Sequence, residues 1–195
     1  MHGPRLTRSL VLVLAAGACS TATIDTSWRA PSAPKLTNVA TLAPATNVST
    51  RRAAEDALAQ QLSHHGVHAV PAYTVVSDQE LGDRNHVAEV LTSRGFDGVV
   101  AMRMVSATQT LHVDPGRDPG YEDPWTNRWG TVESIAEVRI EVNAYSLPSK
   151  KLVWSAMSKA TNPDGTREAI RDVSEVTGNK LAEERVVAAP QAAAR

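Results

Sequence analysis

Cysteine is nearly absent: Cys19 is the only one in 195 residues. No disulfide can close within the chain, and no multi-cysteine metal site can be assembled. Aromatic side chains make up only 4% of the sequence, and tryptophan supplies four of them. An excess of either charge is lacking as well. Twenty basic side chains face 21 acidic ones, a formal charge of -1, which excludes a strongly basic nucleic-acid binder as the default. No apolar run approaches the ~20 residues that span a bilayer core. The Gly-x-Ser-x-Gly nucleophile elbow, a Cys–His nucleophile pair, the Gly-x-Gly-x-x-Gly turn and the phosphate loop are all missing. What is present is 42% hydrophobic and 21% charged residues, a balance that buries a core. The length suits one domain with an export segment and a tether.

The N-terminus carries the clearest signal. Arg5 and Arg8 form a short positive region ahead of the apolar run Leu10–Ala16. Small residues then lead to the lone cysteine in Ala16-Gly17-Ala18-Cys19. This is the pattern of a secretory signal peptide, removed from the mature chain. Residues 1–18 are expected to be the signal peptide and 19–34 a lipidated cysteine with a flexible tether. Residues 35–187 are expected to form one α/β domain, and 188–195 a loose tail. Without Arg5 and Arg8, 18 basic side chains face 21 acidic ones, a formal -3. Such a domain gains nothing from anionic headgroups.

Periodicity then sets the expected elements. Leu36–Leu42, ending before Pro44, predicts a first strand. Asn47 or Ser49 is placed to cap a helix from about Thr50 to His65, with Ala54, Leu58 and Leu62 on one face and Gly66 at its end. Val67–Tyr73 predicts a short strand, and Pro71 puts it at an edge or a bend. Asp83 or Asn85 caps a second helix holding Val87, Val90 and Leu91, which Gly95 stops. Phe96–Val113 and Thr131–Leu147 are long strands. In the second, Val138, Ile140, Val142 and Ala144 alternate with Glu137, Arg139, Glu141 and Asn143, so one face of that region is expected to be wet or covered by polar contacts. Glu133, Glu137 and Glu141 read as that solvated face rather than as a paired acid and base. A turn at 148–150 leads to a hairpin partner over Leu152–Thr161. A last helix carries Ile170, Val173, Val176 and Leu181, with Gly178 weakening its middle. The expected architecture is a two-layer α/β (α+β) sandwich: a mixed sheet of about five strands with helices on one face, in the order β-α-β-α-β-β-β-α.

Two further features invite a site. His64, His65 and His68 are the one histidine cluster, but adjacent helical side chains point about 100° apart and do not converge on a metal. No metal and no cofactor are expected. The segment from Asp114 to Gly130 joins two long strands, contains three Asp-Pro steps and holds Tyr121, Trp125, Arg128 and Trp129. Loops longer than ~12–15 residues are often functional or disordered. These rings are expected either to contact a partner or ligand or to fold back over the open sheet face.

Ala16-Gly17-Ala18-Cys19 resembles the bacterial lipobox, which implies cleavage before Cys19 and acylation of its thiol. Ala16 stands where that family favours leucine. Ser20 follows, where an aspartate in enterobacterial lipoproteins favours inner-membrane retention, so the resemblance implies an outer-membrane anchor facing the periplasm. The element order is similar to the small α/β domains of TolB N-terminal and CsgG-like envelope proteins. Thr26-Ser-Trp-Arg-Ala-Pro, Arg51-Arg52-x-x-Glu55-Asp56-Ala57-Leu58, Gly66-Val-His-Ala-Val-Pro-Ala-Tyr73, Gly95-Phe-Asp-Gly-Val-Val100 and Leu152-Val-Trp-Ser155 resemble uncharacterised lipoproteins of Gram-negative bacteria. That likeness implies location and fold and assigns no catalytic residue. The functional expectation is a non-enzymatic, lipid-anchored module that binds another envelope protein. The alternative is a small-ligand or glycan binder using Tyr121, Trp125, Trp129 and Arg128. A hydrolase ranks below both.

Overall fold

The computed structural model describes residues 22–113, 132–161 and 163–188. Six strands form one mixed sheet: β1 (Ala22–Arg29), β2 (Asn38–Leu42), β3 (His68–Pro71), β4 (Gly98–Val113), β5 (Val132–Ser146) and β6 (Lys151–Thr161). Their spatial order is β1-β6-β5-β4-β2-β3. The helices are α1 (Val48–His64), α2 (Arg84–Ser93) and α3 (Thr166–Glu183), with short 3-10 turns at Ala72–Thr74 and Glu80–Gly82. The two-layer α/β sandwich read from periodicity is the observed architecture.

Local chemistry sets the helix starts. The Asn47 side chain accepts a hydrogen bond from the Thr50 N–H at 3.0 Å and opens α1. Asp83 does the same for Asn85 and His86 at the start of α2. Each satisfies amides that have no carbonyl partner in a first helical turn. Ala54, Leu58 and Leu62 are buried on α1, and Ile170, Val173 and Leu181 on α3. The two helices pack against each other, and Gly178 lies at their crossing: a Cβ there would sit 3.1 Å from the Gln61 Cβ. A residue that costs helix propensity is thus kept where the helices approach most closely.

The sheet has a covered face and a mostly open one. Val39, Val100, Met102, Ile140, Val142, Ala144, Trp154 and Ala156 pack under α1 and α3 in one core. Ala40, next to Val39 and therefore pointing the other way, belongs to a second core with Val76, Val87, Leu91, Phe96 and Leu147. So α2 lies across the opposite face, at the β2–β3 corner. The expectation of helices on one face thus holds for α1 and α3 but not for α2: the spacing of Val87, Val90 and Leu91 gives a helix with an apolar side but does not say which face of the sheet receives it.

A sixth strand arises where a flexible tether over 19–34 was expected. Ala22–Arg29 pairs antiparallel with β6, Ala22 opposite Ala160 and Arg29 opposite Trp154. The small, polar composition is misleading because this is an edge strand with most side chains exposed. Its threonines, isoleucine and tryptophan suit a half-buried pleat, and a register shift between Ile24 and Thr26 blunts the edge. At the other edge, β3 carries Pro71 and pairs only with β2, as a strand proline requires.

Candidate functional site

The sequence singles out Cys19 and the aromatic segment Tyr121, Trp125, Arg128 and Trp129; all lie outside the described residues. The structure does describe where each is joined to the fold. Cys19 is three residues before the first residue of β1. Residues 114–131 connect the ends of β4 and β5, whose antiparallel ladder runs from Gly98–Ser146 to Val113–Val132.

The open face is built by β1, β6, β5 and β4. Register places Trp28 beside Ser155, Ser155 beside Asn143, and Glu141 between Met157 and Arg103. Thr26, Trp28, Glu141, Ser155 and Met157 line a shallow depression of about 180 Å³. Trp28 is 51% exposed. Around it the surface is tied by ion pairs. The Arg103 guanidinium reaches Glu141 at 2.5 Å, and Arg139 reaches Glu137 at 2.7 Å. The hydrogen bond from Arg103, then that from Asn143, holds the Glu141 carboxyl below the ordinary range, and Arg139 does the same for Glu137. The wet, polar face expected from the alternation in β5 is thus present. Further apolar groups are exposed at Met104 and Val105, beside a β4 bulge beyond the cover of the helices, and at Tyr145.

A second cleft, about 350 Å³, lies where β2 feeds α1, with Leu42, Pro44, Arg51, Glu55 and Leu81 among its walls. Glu55 is fully buried. Its carboxylate accepts hydrogen bonds from the Ala43 and Tyr73 amides at 3.2 and 3.0 Å. Burial pushes its pKa up, opposed by those two amides and by Arg51. Arg51 itself pairs with Asp78 at 2.5 Å. One helical step away, the Tyr73 hydroxyl donates to Asp56 at 2.7 Å, and Arg52 lies 5.0 Å from the centre of the Tyr73 ring. The group Arg51, Arg52, Glu55 and Asp56 therefore clamps the segment after β3 onto α1. This is consistent with the structural character expected for those landmarks.

His65 Nε2 pairs with Asn179 Oδ1 at 3.0 Å, and His68 Nδ1 with Asn38 Oδ1 at 2.5 Å. The two rings serve different contacts and do not converge. Sequence reading missed Glu184, the hub that holds β1 and β6 to the end of α3. It accepts from Ser27 Oγ at 2.9 Å and from Trp154 Nε1 at 2.7 Å, with Lys180 at 3.4 Å. Burial raises its pKa, but these three donors outweigh it and leave the carboxyl below its ordinary value. No local pattern marks such a residue, because Ser27 is 157 positions away.

Fold and surface together define an open, mixed α+β sheet domain with its polar face partly uncovered. No protein-family model matches the sequence, and no curated protein matches it. Among solved structures, the chain is similar to a subunit of the PelC dodecamer from Paraburkholderia phytofirmans. The two are 15% identical over 80% of this chain and 95% of that one, with a TM-score of 0.50. It is also similar to the lipoprotein GNA1162 from Neisseria meningitidis, at 14% identity over 77% and 99% of the two chains and a TM-score of 0.43. A minor lipoprotein from Acinetobacter baumannii matches at 9% identity over 76% and 94%, with a TM-score of 0.40. The likeness to the PelC subunit is one of fold.

Proposed function

We propose that this protein is a lipid-anchored cell-envelope protein of Gram-negative type. In this reading the α/β domain works as a non-enzymatic interaction module at the periplasmic face of the outer membrane. The observation that carries the reading is Ala16-Gly17-Ala18-Cys19 at the end of the apolar run Leu10–Ala16. The described fold includes a strand over Ala22–Arg29, close after that segment in sequence. Two or more acyl chains on Cys19 hold the domain on a leaflet, since each buried methylene adds about 0.8 kcal/mol and one chain alone binds marginally. Among the described residues no helix is long and apolar enough to cross a membrane. The partner reading rests on the uncovered sheet face with Trp28 exposed on it. The buried Glu55 and the partly exposed Glu184 are occupied in holding elements together. A chain of similar fold forms the PelC dodecamer, which makes a second copy of this chain the first partner to test.

Growth with a radioactive fatty acid tests the anchor. The wild-type chain takes up label and stays with the envelope fraction, and Cys19→Ala loses both. A Cys19→Ala chain that still labels overturns the proposal. Replacing Trp28 with Ala then reduces crosslinked partner capture while thermal unfolding stays within a few degrees, because Trp28 is half exposed and surface substitutions cost little.

A further inference from the structure

We propose that the cleft between the end of β2 and the start of α1 binds a small organic monocarboxylate with an apolar body, held on Arg51 in exchange for Asp78. The site does not depend on the lipid anchor. Topology puts the cleft in a favoured place. β2 is paired in parallel with β4 on one side and with β3 on the other. The chain leaves β2 toward β3 and leaves β4 toward β5, on opposite sides of that pair. In open α/β sheets, ligands bind outside the carboxyl ends of strands where the order reverses in this way. The cleft of about 350 Å³ lies at that end of β2, and its size suits a small molecule.

Most of the wall is apolar. Leu42, Ala43, Pro44 and Ala45 come from the end of β2 and the loop after it, and Leu81 from the turn at Glu80–Gly82. Two charged side chains complete it, and they are not equivalent. Glu55 has both oxygens engaged, one by the Ala43 amide and one by the Tyr73 amide. Arg51 has donors to spare. It is only 9% exposed. Among the described residues its guanidinium has one hydrogen-bond partner, Asp78, reached through Nη2. Its Nε is buried with no partner. A guanidinium carries five N–H donors, and a buried donor without an acceptor is costly. Helix stability does not ask for a cation here either. Arg51 lies near the N-terminal end of α1, where negative charge is favoured, and the first turn holds no acidic residue.

Asp78 shows which group the guanidinium takes. It is a carboxylate whose side chain is 46% exposed, so it returns to water when it is displaced. A ligand carboxylate in its place leaves the local charge unchanged: one anion stands beside Arg51 and Glu55 before and after the exchange. The dianion of phosphate would add charge next to Glu55. A planar carboxylate also meets two guanidinium donors at once, where Asp78 is met by Nη2 alone. The apolar body of the ligand then lies against Leu42, Pro44 and Leu81.

The test uses the full chain, isotope-labelled and purified in a non-ionic detergent, with phenylacetate as the probe. The NMR signals of the Ala43 and Ala45 amides, both on the cleft wall, report occupancy. They move saturably with phenylacetate and stay in place with uncharged phenylacetamide and with inorganic phosphate. Asp78→Ala binds phenylacetate about tenfold more tightly, because apparent affinity rises with the fraction of chains whose site is free of its own carboxylate. Arg51→Gln does not bind it. Equal movement with phenylacetamide shows that the cleft takes an apolar body without reading a carboxylate, and overturns the proposal. Saturation by phosphate and not by phenylacetate overturns it too. Signals that stay in place with phenylacetate, in the wild type and in Asp78→Ala alike, leave no such site. If Arg51→Gln fails to fold, the comparison with Asp78→Ala decides alone: equal affinity in that variant and the wild type overturns the exchange.

Discussion

Glu184 sits at the C-terminal end of α3 and collects the Ser27 hydroxyl and the buried Trp154 indole N–H. Glu184→Ala leaves that indole donor unpaired where water does not reach it, since Trp154 is fully buried. The expected cost is about 1–3 kcal/mol, read as a lower urea midpoint with an unchanged slope. Glu184→Gln keeps an acceptor and loses less. A pH effect belongs to Glu80, which accepts from the Ser77 hydroxyl, from His86 and from the Ser77 amide, and whose pKa is lowered to about 2. Its stabilisation of the turn from Ser77 to His86 is therefore present above the ordinary value near 4.5 and is lost as pH falls toward 2. His86 is shifted up by the same bond, so its share is present below 6.5 and lost as pH rises through its raised value. The Ser77 amide shift, followed by NMR across pH, shows an acid step near 2, not near 4.5. Caps such as Asn47 and Asp83 were legible in the sequence because they act over two or three residues. The partners of Glu55 and Glu184 were not, because folding alone brings them together.

At the scale of elements, alternation carried most of the information. β5 was legible residue by residue, from buried Ile140, Val142 and Ala144 to the ion-paired Glu137, Arg139 and Glu141. β1 was not, because an edge strand with polar side chains has the composition of a tether. Hydrogen exchange separates the two descriptions. The β1 amides that bond to β6 exchange far more slowly than a free segment does, whereas a tether exchanges at the unstructured rate throughout. The start of β4 gives a packing test. A Cβ at Gly98 would lie 2.7 Å from the Leu36 Cδ1, and Leu36 is buried. Gly98→Ala is expected to destabilise by about 1–3 kcal/mol through overpacking, measured by thermal unfolding. Substitution at Gly82, where a Cβ meets nothing within 4 Å, stays within about 0.5 kcal/mol.

The molecule as a whole is a sheet whose long hairpin and N-terminal entry share one end. The proposed attachment rests on a local string of residues: charge, apolar run, small residues, cysteine. The aromatic segment at Tyr121, Trp125, Arg128 and Trp129 was legible only as an unusual composition, since what such rings touch depends on surfaces far away in sequence. The measurement that bears most directly on the account is the mass of the N-terminal peptide from protein extracted from cell envelopes. The account predicts a chain that begins at Cys19 and carries the mass of a diacylglyceryl group, with or without an N-acyl chain. A chain that retains residues 1–18, or that begins nearby with an unmodified thiol, contradicts it.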